Sequence, residues 1–160
     1  MSWSYTGEAI SCTFSSVGTE FTFADFTGTN EGMTYLVKLV SPATQVTTGG
    51  PTPLVEKTDA TRQVIYGVAV GIDGDGSLRN NTPTPRRVRV VRNGIVRVSK
   101  FGGITLGDIG RSIVTSAGSP GLGGTTSADG VGRATIVGVT GTDPTDYWFV
   151  DLDVDPILRA

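Results

Sequence analysis

The chain has 160 residues, with 13 Lys and Arg against 15 Asp and Glu for a formal net charge of -2, and it contains one Cys and no His. This length suits one domain that buries a core without metal or disulfide support, and Cys12 alone cannot form an intrachain disulfide. The lack of histidine removes Ser-His-Asp and Cys-His nucleophilic arrangements, His-containing zinc sites and the usual near-neutral proton shuttle; an enzyme would have to work with carboxylates, Tyr, Lys, Arg or Ser.

Nineteen Val and nine Ile against eight Leu favour strands, because β-branched side chains suit a pleated surface and lose rotamer freedom in a helix. The 23 Gly and 8 Pro supply turns, and no stretch keeps the i, i+3, i+4, i+7 apolar spacing of an amphipathic helix without interruption. The expected fold is all-β, a small β-sandwich or β-barrel core with an extended, aromatic-rich N-terminal segment and little or no helix. The first residues lack a basic region followed by an apolar run, so no secretory signal is expected. No segment approaches the roughly 18 apolar residues of a membrane-spanning helix, and a soluble product of cytosolic synthesis is expected.

Residues 1–33 carry Trp3, Tyr5, Phe14, Phe21, Phe23 and Phe26 among Gly and Thr. They predict an N-terminal strand pair or an arm packed on a neighbouring subunit, and residues 34–160 a β-rich core of the same domain. Glu20 to Ala24 alternates as a strand with both Phe on one face. Tyr35 to Val40 predicts a strand stopped by Ser41-Pro42, and Gln45 to Leu54 a loop, given Gly49-Gly50-Pro51 and Pro53. The apolar run Val64 to Val70 predicts a central strand, followed by an exposed loop through Asn80-Asn81 and Pro83-Thr84-Pro85.

Between Gly76 and Gly107 stand Arg79, Arg86, Arg87, Arg89, Arg92, Arg97 and Lys100, with no Asp or Glu. Asn93-Gly94 within this run is a two-residue type I′ turn signal, which predicts a charged strand pair with Arg92 opposite Ile95 and Arg89 opposite Val98. A bulge near Val90-Val91 would instead put Val88 and Val91 on one face. Short strands follow at Ser112 to Thr115 and Ala134 to Thr140, separated by a Gly/Ser/Thr connection from Ala117 to Gly130. Tyr147 to Asp155 is the clearest alternation, with Trp148, Val150, Leu152 and Val154 on one face and Asp151, Asp153 and Asp155 on the other.

Chemical motifs are incomplete. Asp73-Gly-Asp75-Gly-Ser77 starts like a calcium loop, but Leu78 replaces the glycine of the sharp turn and Thr84 the closing glutamate. Gly118 to Thr125 has the glycine spacing of a phosphate loop, yet Gly124 stands where lysine is needed. Asp151, Asp153 and Asp155 lie at about 7 Å intervals along a strand, and Asp143 and Asp146 show no cleft partner, so neither set reads as a general acid-base pair. The arginine run allows a solvated strand face, a phosphate contact or a protein interface. Guanidinium forks suit carboxylates of another subunit, while the interleaved Val and Ile offer no stacking platform for bases.

The order Tyr66-Gly67-Val68-Ala69, a polar loop, Val88 to Val98 through Asn93-Gly94-Ile95-Val96, Ile104-Thr105-Leu106-Gly107-Asp108, Gly130-Val131-Gly132-Arg133-Ala134 and a closing apolar strand near Val154 resembles the small decoration, or cement, proteins of tailed-bacteriophage heads. In that family a Gly-Val-Ala strand, a strand pair through Gly-x-Val, an Ile-x-x-Gly-Asp turn and a Gly-x-Ala strand follow in this order, and the match spans residues 64–155 of this chain. The resemblance implies a structural virion protein, made in the host cytoplasm and added to the outer capsid surface. It implies a homotrimer that clamps neighbouring major capsid protein subunits, with no enzymatic activity, cofactor, metal, nucleic-acid or membrane partner. The expected interface residues are Arg86, Arg87, Arg89, Arg92, Arg97, Asp151, Asp153, Asp155, Trp3 and Tyr5. A β-sandwich module binding carbohydrate or another surface ligand is the alternative.

Overall fold

The structure, a computed structural model, describes residues 9–14, 25–26, 28–30, 32–40, 53–60, 63–72, 87–99, 106–116, 120–127, 134–139 and 147–153. Within these it is all-β, built from ten strands in two sheets. They are β1 (Ala9–Phe14), β2 (Tyr35–Leu39), β3 (Leu54–Lys57), β4 (Gly67–Ile72), β5 (Arg87–Val91), β6 (Asn93–Ser99), β7 (Ser112–Thr115), β8 (Gly123–Ser127), β9 (Ala134–Val139) and β10 (Tyr147–Asp153). The first five close into a barrel in the order β1-β3-β2-β4-β5, and the rest form an open sheet in the order β6-β10-β9-β7-β8. The predicted strand at Glu20 to Ala24, the Asp73 to Ser77 loop and the Asp143 to Asp146 segment lie outside the described residues.

Residues of β2 and β4 are buried on both faces, Tyr35, Leu36 and Val37 on one strand and Val68 and Ala69 on the other, which explains why these strands read as continuous apolar runs. Tyr35, Val37, Ala69, Val88 and Val90 fill the barrel with Val55 of β3. Leu36, Val68 and Val91 point the other way, into a second core shared with Val96, Val98, Ile113, Ala134, Ile136, Trp148, Val150 and Leu152 of the open sheet. The barrel wall is therefore also one half of a sandwich.

The predicted β5-β6 hairpin does not form. β5 pairs with β1 and β4, β6 pairs with β10, and the chain passes from one sheet to the other at Arg92. Gly94 does adopt a positive φ of 96°, but inside β6, where it stands opposite Leu152. A hairpin would leave the valines of both strands on one two-stranded ribbon; separating the strands puts Val88 and Val90 in the barrel and Val96 and Val98 in the shared core. The bulge falls on β4 rather than β5, between Ala69 and Gly71, so Val88 and Val91 keep opposite faces.

Two strands were not expected, β3 beginning at Leu54 where the expected loop ends and β8 lying within the expected Ala117 to Gly130 connection. β3 follows Pro53 directly and joins β1 in parallel and β2 antiparallel, closing the barrel. β8 belongs to the Gly-rich connection, whose glycines make room for large side chains. A Cβ on Gly121, which has φ of 77°, would meet the Tyr35 ring at 2.9 Å, and one on Gly123 would collide with the Trp148 indole. Gly121 also bridges the two layers through its backbone, donating to Thr58 O at 2.8 Å and accepting from Leu36 N at 2.6 Å. Gly67 is a close approach between strands, since a Cβ there would come within 2.5 Å of Val90 Cγ1.

Trp148 is fully buried at the centre of the shared core, and its indole Nε1 donates to Asp108 Oδ2 at 2.9 Å. Asp108 ends a 3-10 turn, Leu106–Asp108, in which Gly107 lies; the positive φ of this corner falls on Gly110 at 88°. Replacing Asp108 with Ala leaves the indole N–H without that acceptor, and a loss of about 1–3 kcal/mol in urea-unfolding stability is expected. Gly123→Ala overpacks the same ring and should cost about 1–3 kcal/mol by the same measurement.

Candidate interaction surface

The five arginines expected at the interface divide by what their strands face. On β5, alternation buries Val88 and Val90 and leaves Arg89 exposed on the outer wall of the barrel. There it stands between Ser11 of β1 and Gly71 of β4, its guanidinium 3.0 Å from where a Cβ on Gly71 would be. Arg87 is in register with Thr13, two positions earlier on the same strand. Arg86 lies outside the described residues.

Arg92 and Arg97 are committed within the chain. Arg92, at the crossing between sheets, donates from Nε to Tyr66 O at 3.0 Å and lays its guanidinium 4.1 Å from the centre of the Tyr66 ring. That contact adds a cation-π attraction to the hydrogen bond. Arg97 of β6 donates from Nη2 to Gly32 O, while its own carbonyl accepts from Thr34 Oγ1 at 2.6 Å. Thr34 and Ser99 then exchange two further bonds at 3.2 Å, Thr34 N to Ser99 Oγ and Ser99 N to Thr34 Oγ1. The segment entering β2 is thereby stitched to the edge of the open sheet.

The alternation expected of β10 holds from Trp148 to Leu152, with Asp151 on the outer face. Trp148, Val150 and Leu152 are buried, and Asp151 is exposed between Ile95 of β6 and Thr135 of β9. Asp153 is in register with Asn93. The arginine-bearing β6 and the acidic β10 are thus neighbours in one sheet, but Arg97 stands opposite Phe149 rather than an aspartate. Trp3, Tyr5 and Asp155 lie outside the described residues.

Several surface features carried no signal in the sequence. Lys38 Nζ contacts Asp59 Oδ1 at 2.8 Å and Glu56 Oε1 at 3.3 Å, and Asp59 Oδ1 also accepts from Gln63 Nε2 at 2.7 Å. Lys57 Nζ meets Asp25 Oδ1 at 2.7 Å, and the Tyr35 hydroxyl donates to Asp25 O at 2.6 Å. These pairs join segments distant in sequence, so no local spacing announces them. Leu106 at 71% exposure, Ile109 and Val137 are large apolar residues left open to solvent. Leu106 and Ile109 belong to the turn that leads into the backbone bonds beside β9, where Gly110 N donates to Ile136 O at 2.8 Å and Ile136 N to Arg111 O at 2.9 Å, and Val137 is the next residue of β9. Val137 is open because the β9-β10 register shifts there, between Gly138 opposite Phe149 and Ile136 opposite Val150.

Among the described residues no three His, Cys, Asp or Glu side chains gather as a metal site, and no helix is long and apolar enough to cross a membrane. No protein-family model, curated protein or solved structure matches the chain.

Burial raises the Tyr35 phenol well above its ordinary range, and the Asp25 charge adds to the shift. Burial alone would lower Lys38, but its hydrogen bond to Asp59 and the charges of Glu56 and Asp59 together raise it. Both groups hold their proton more tightly folded than unfolded. Their contribution is therefore complete below the unfolded pKa values of about 10 and is lost as pH rises through the folded ones. Urea-unfolding stability should fall from about pH 10 upward, and Tyr35→Phe should flatten part of that fall while lowering stability at neutral pH through the lost bond to Asp25 O.

Proposed function

We propose that this chain is a structural, non-enzymatic protein of a tailed-bacteriophage virion. As a homotrimer it binds the outer capsid surface and stabilises the head by clamping neighbouring major capsid protein subunits. The order of glycine-based motifs from Gly67 to Ala134 suggests the family. The observation that carries the reading is the exposed apolar group of Leu106, Ile109 and Val137 on and beside β9 of the open sheet. A protein that holds a shell together needs apolar surface to bury, and each well-packed side chain of this size contributes on the order of 1.5–3 kcal/mol. Such contacts, repeated over a lattice, oppose outward pressure on the shell.

The arginines favour a protein partner over nucleic acid. Arg92 and Arg97 bond to carbonyls of their own chain, so they are poorly placed to track a phosphate backbone. Arg89, exposed on the barrel wall, remains suited to a carboxylate.

Co-sedimentation with empty heads of the phage that encodes the chain tests the assignment. The wild-type protein should pellet with the heads. Val137→Asp, at an exposed bulge, should leave the fold intact and weaken head binding by about tenfold or more, since a buried carboxylate without a partner is strongly penalised. No pelleting of the wild type rejects the function, and undiminished binding of the variant rejects this face.

A further inference from the structure

We infer that Arg89 of β5 and Asp151 of β10 are the two halves of a contact between copies of this chain. The inference rests on the homotrimer of the function proposed above and assigns surfaces to it. Both residues are exposed, Arg89 on the outside of the barrel, on the face that Val91 turns into the shared core, and Asp151 on the face of the open sheet turned from that core. Neither makes an ion pair within the chain among the described residues.

The two sites match in charge, a guanidinium on one layer and a carboxylate on the other, both exposed. The surroundings fit an approach by another protein surface. Gly71 beside Arg89 is buried, and its missing side chain makes room for the Arg89 guanidinium to lie across β4. Asp151 is flanked by half-buried Ile95 and lies two positions from half-buried Phe149, apolar surface that a partner would cover. An exposed ion pair adds little affinity by itself. The apolar flank would supply the attraction, and the charges would fix the register and exclude misaligned pairings. Each copy offers one basic and one acidic site on different layers, so the contact is head-to-tail and generates a ring where its rotation closes.

Analytical ultracentrifugation across a concentration series tests this with wild type, Arg89→Glu, Asp151→Arg, the double variant and an equimolar mixture of the single variants. Both positions are exposed, and circular dichroism confirms that each variant is folded. Wild type should associate, less tightly as salt rises. Each single reversal should raise the dissociation constant by about tenfold or more because like charges then face one another. The double variant should recover association in full, and the mixture only in part, because a three-membered ring of two variants always keeps one like-charged contact. An oligomer indifferent to both reversals overturns the contact while leaving the trimer standing. A wild type that is monomeric throughout overturns both. Failure to bind heads, read separately, rejects the capsid reading without touching the self-contact.

Discussion

The two layers are held in place by one unbroken run of chain. Residues 87–99 supply β5 to the barrel and β6 to the open sheet, and Arg92 is the joint between them. Its hydrogen bond and stacking contact with Tyr66 anchor the joint to the segment that enters β4, while Val91 on one side and Val96 and Val98 on the other meet in the same core. At the far end of β6, Arg97, Thr34 and Ser99 bind the open sheet to the segment that enters β2. The layers cannot slide apart without exposing the Trp148 core and breaking bonds at both ends of β6.

The same joint explains what could be read in advance. β10 was legible because its inner face is buried and its outer face is open, so apolar and acidic residues alternate cleanly. β2 and β7 were legible at close to their bounds, and β4 in part: the run from Val64 to Val70 marks it, but the strand is Gly67–Ile72 and Val64 is exposed. Asn93-Gly94 misled because a type I′ signal reports only local backbone preference. Whether its flanks pair depends on where their valines are buried, and here two cores compete for them. β3 and β8 were missed for a different reason. Leu54 to Lys57 is short and follows Pro53, and Gly123-Gly124 carries no side-chain pattern at all; the demand for glycine comes from Tyr35 and Trp148, which are distant in sequence.

Of the surface, the acidic position at Asp151 was visible, while the division of the arginines was not. Whether a guanidinium is spent inside the chain depends on Tyr66 and on the Gly32 carbonyl, and neither is marked by spacing. The distinction changes the meaning of the basic run. Seven positive charges without an intervening acid suggest one continuous stripe, but two of the arginines serve as internal fasteners and Arg89 remains open to solvent. The exposed apolar corner at Leu106, Ile109 and Val137 was hidden in turn by its origin in a register shift and a 3-10 turn.

The parallel pairing of β1 with β3 also governs when the fold can form. β1 lies between β3 and β5, so the first described strand waits for residues 54–55 on one side and 87–91 on the other. Such distant pairing must overcome loop-closure entropy before its contacts contribute, which places this chain among slowly folding, high-contact-order topologies. On a ribosome, Ala9 to Phe14 emerges long before its second partner exists. Until then it is an unpaired strand edge, and its protection from stray pairing falls to whatever holds the nascent chain.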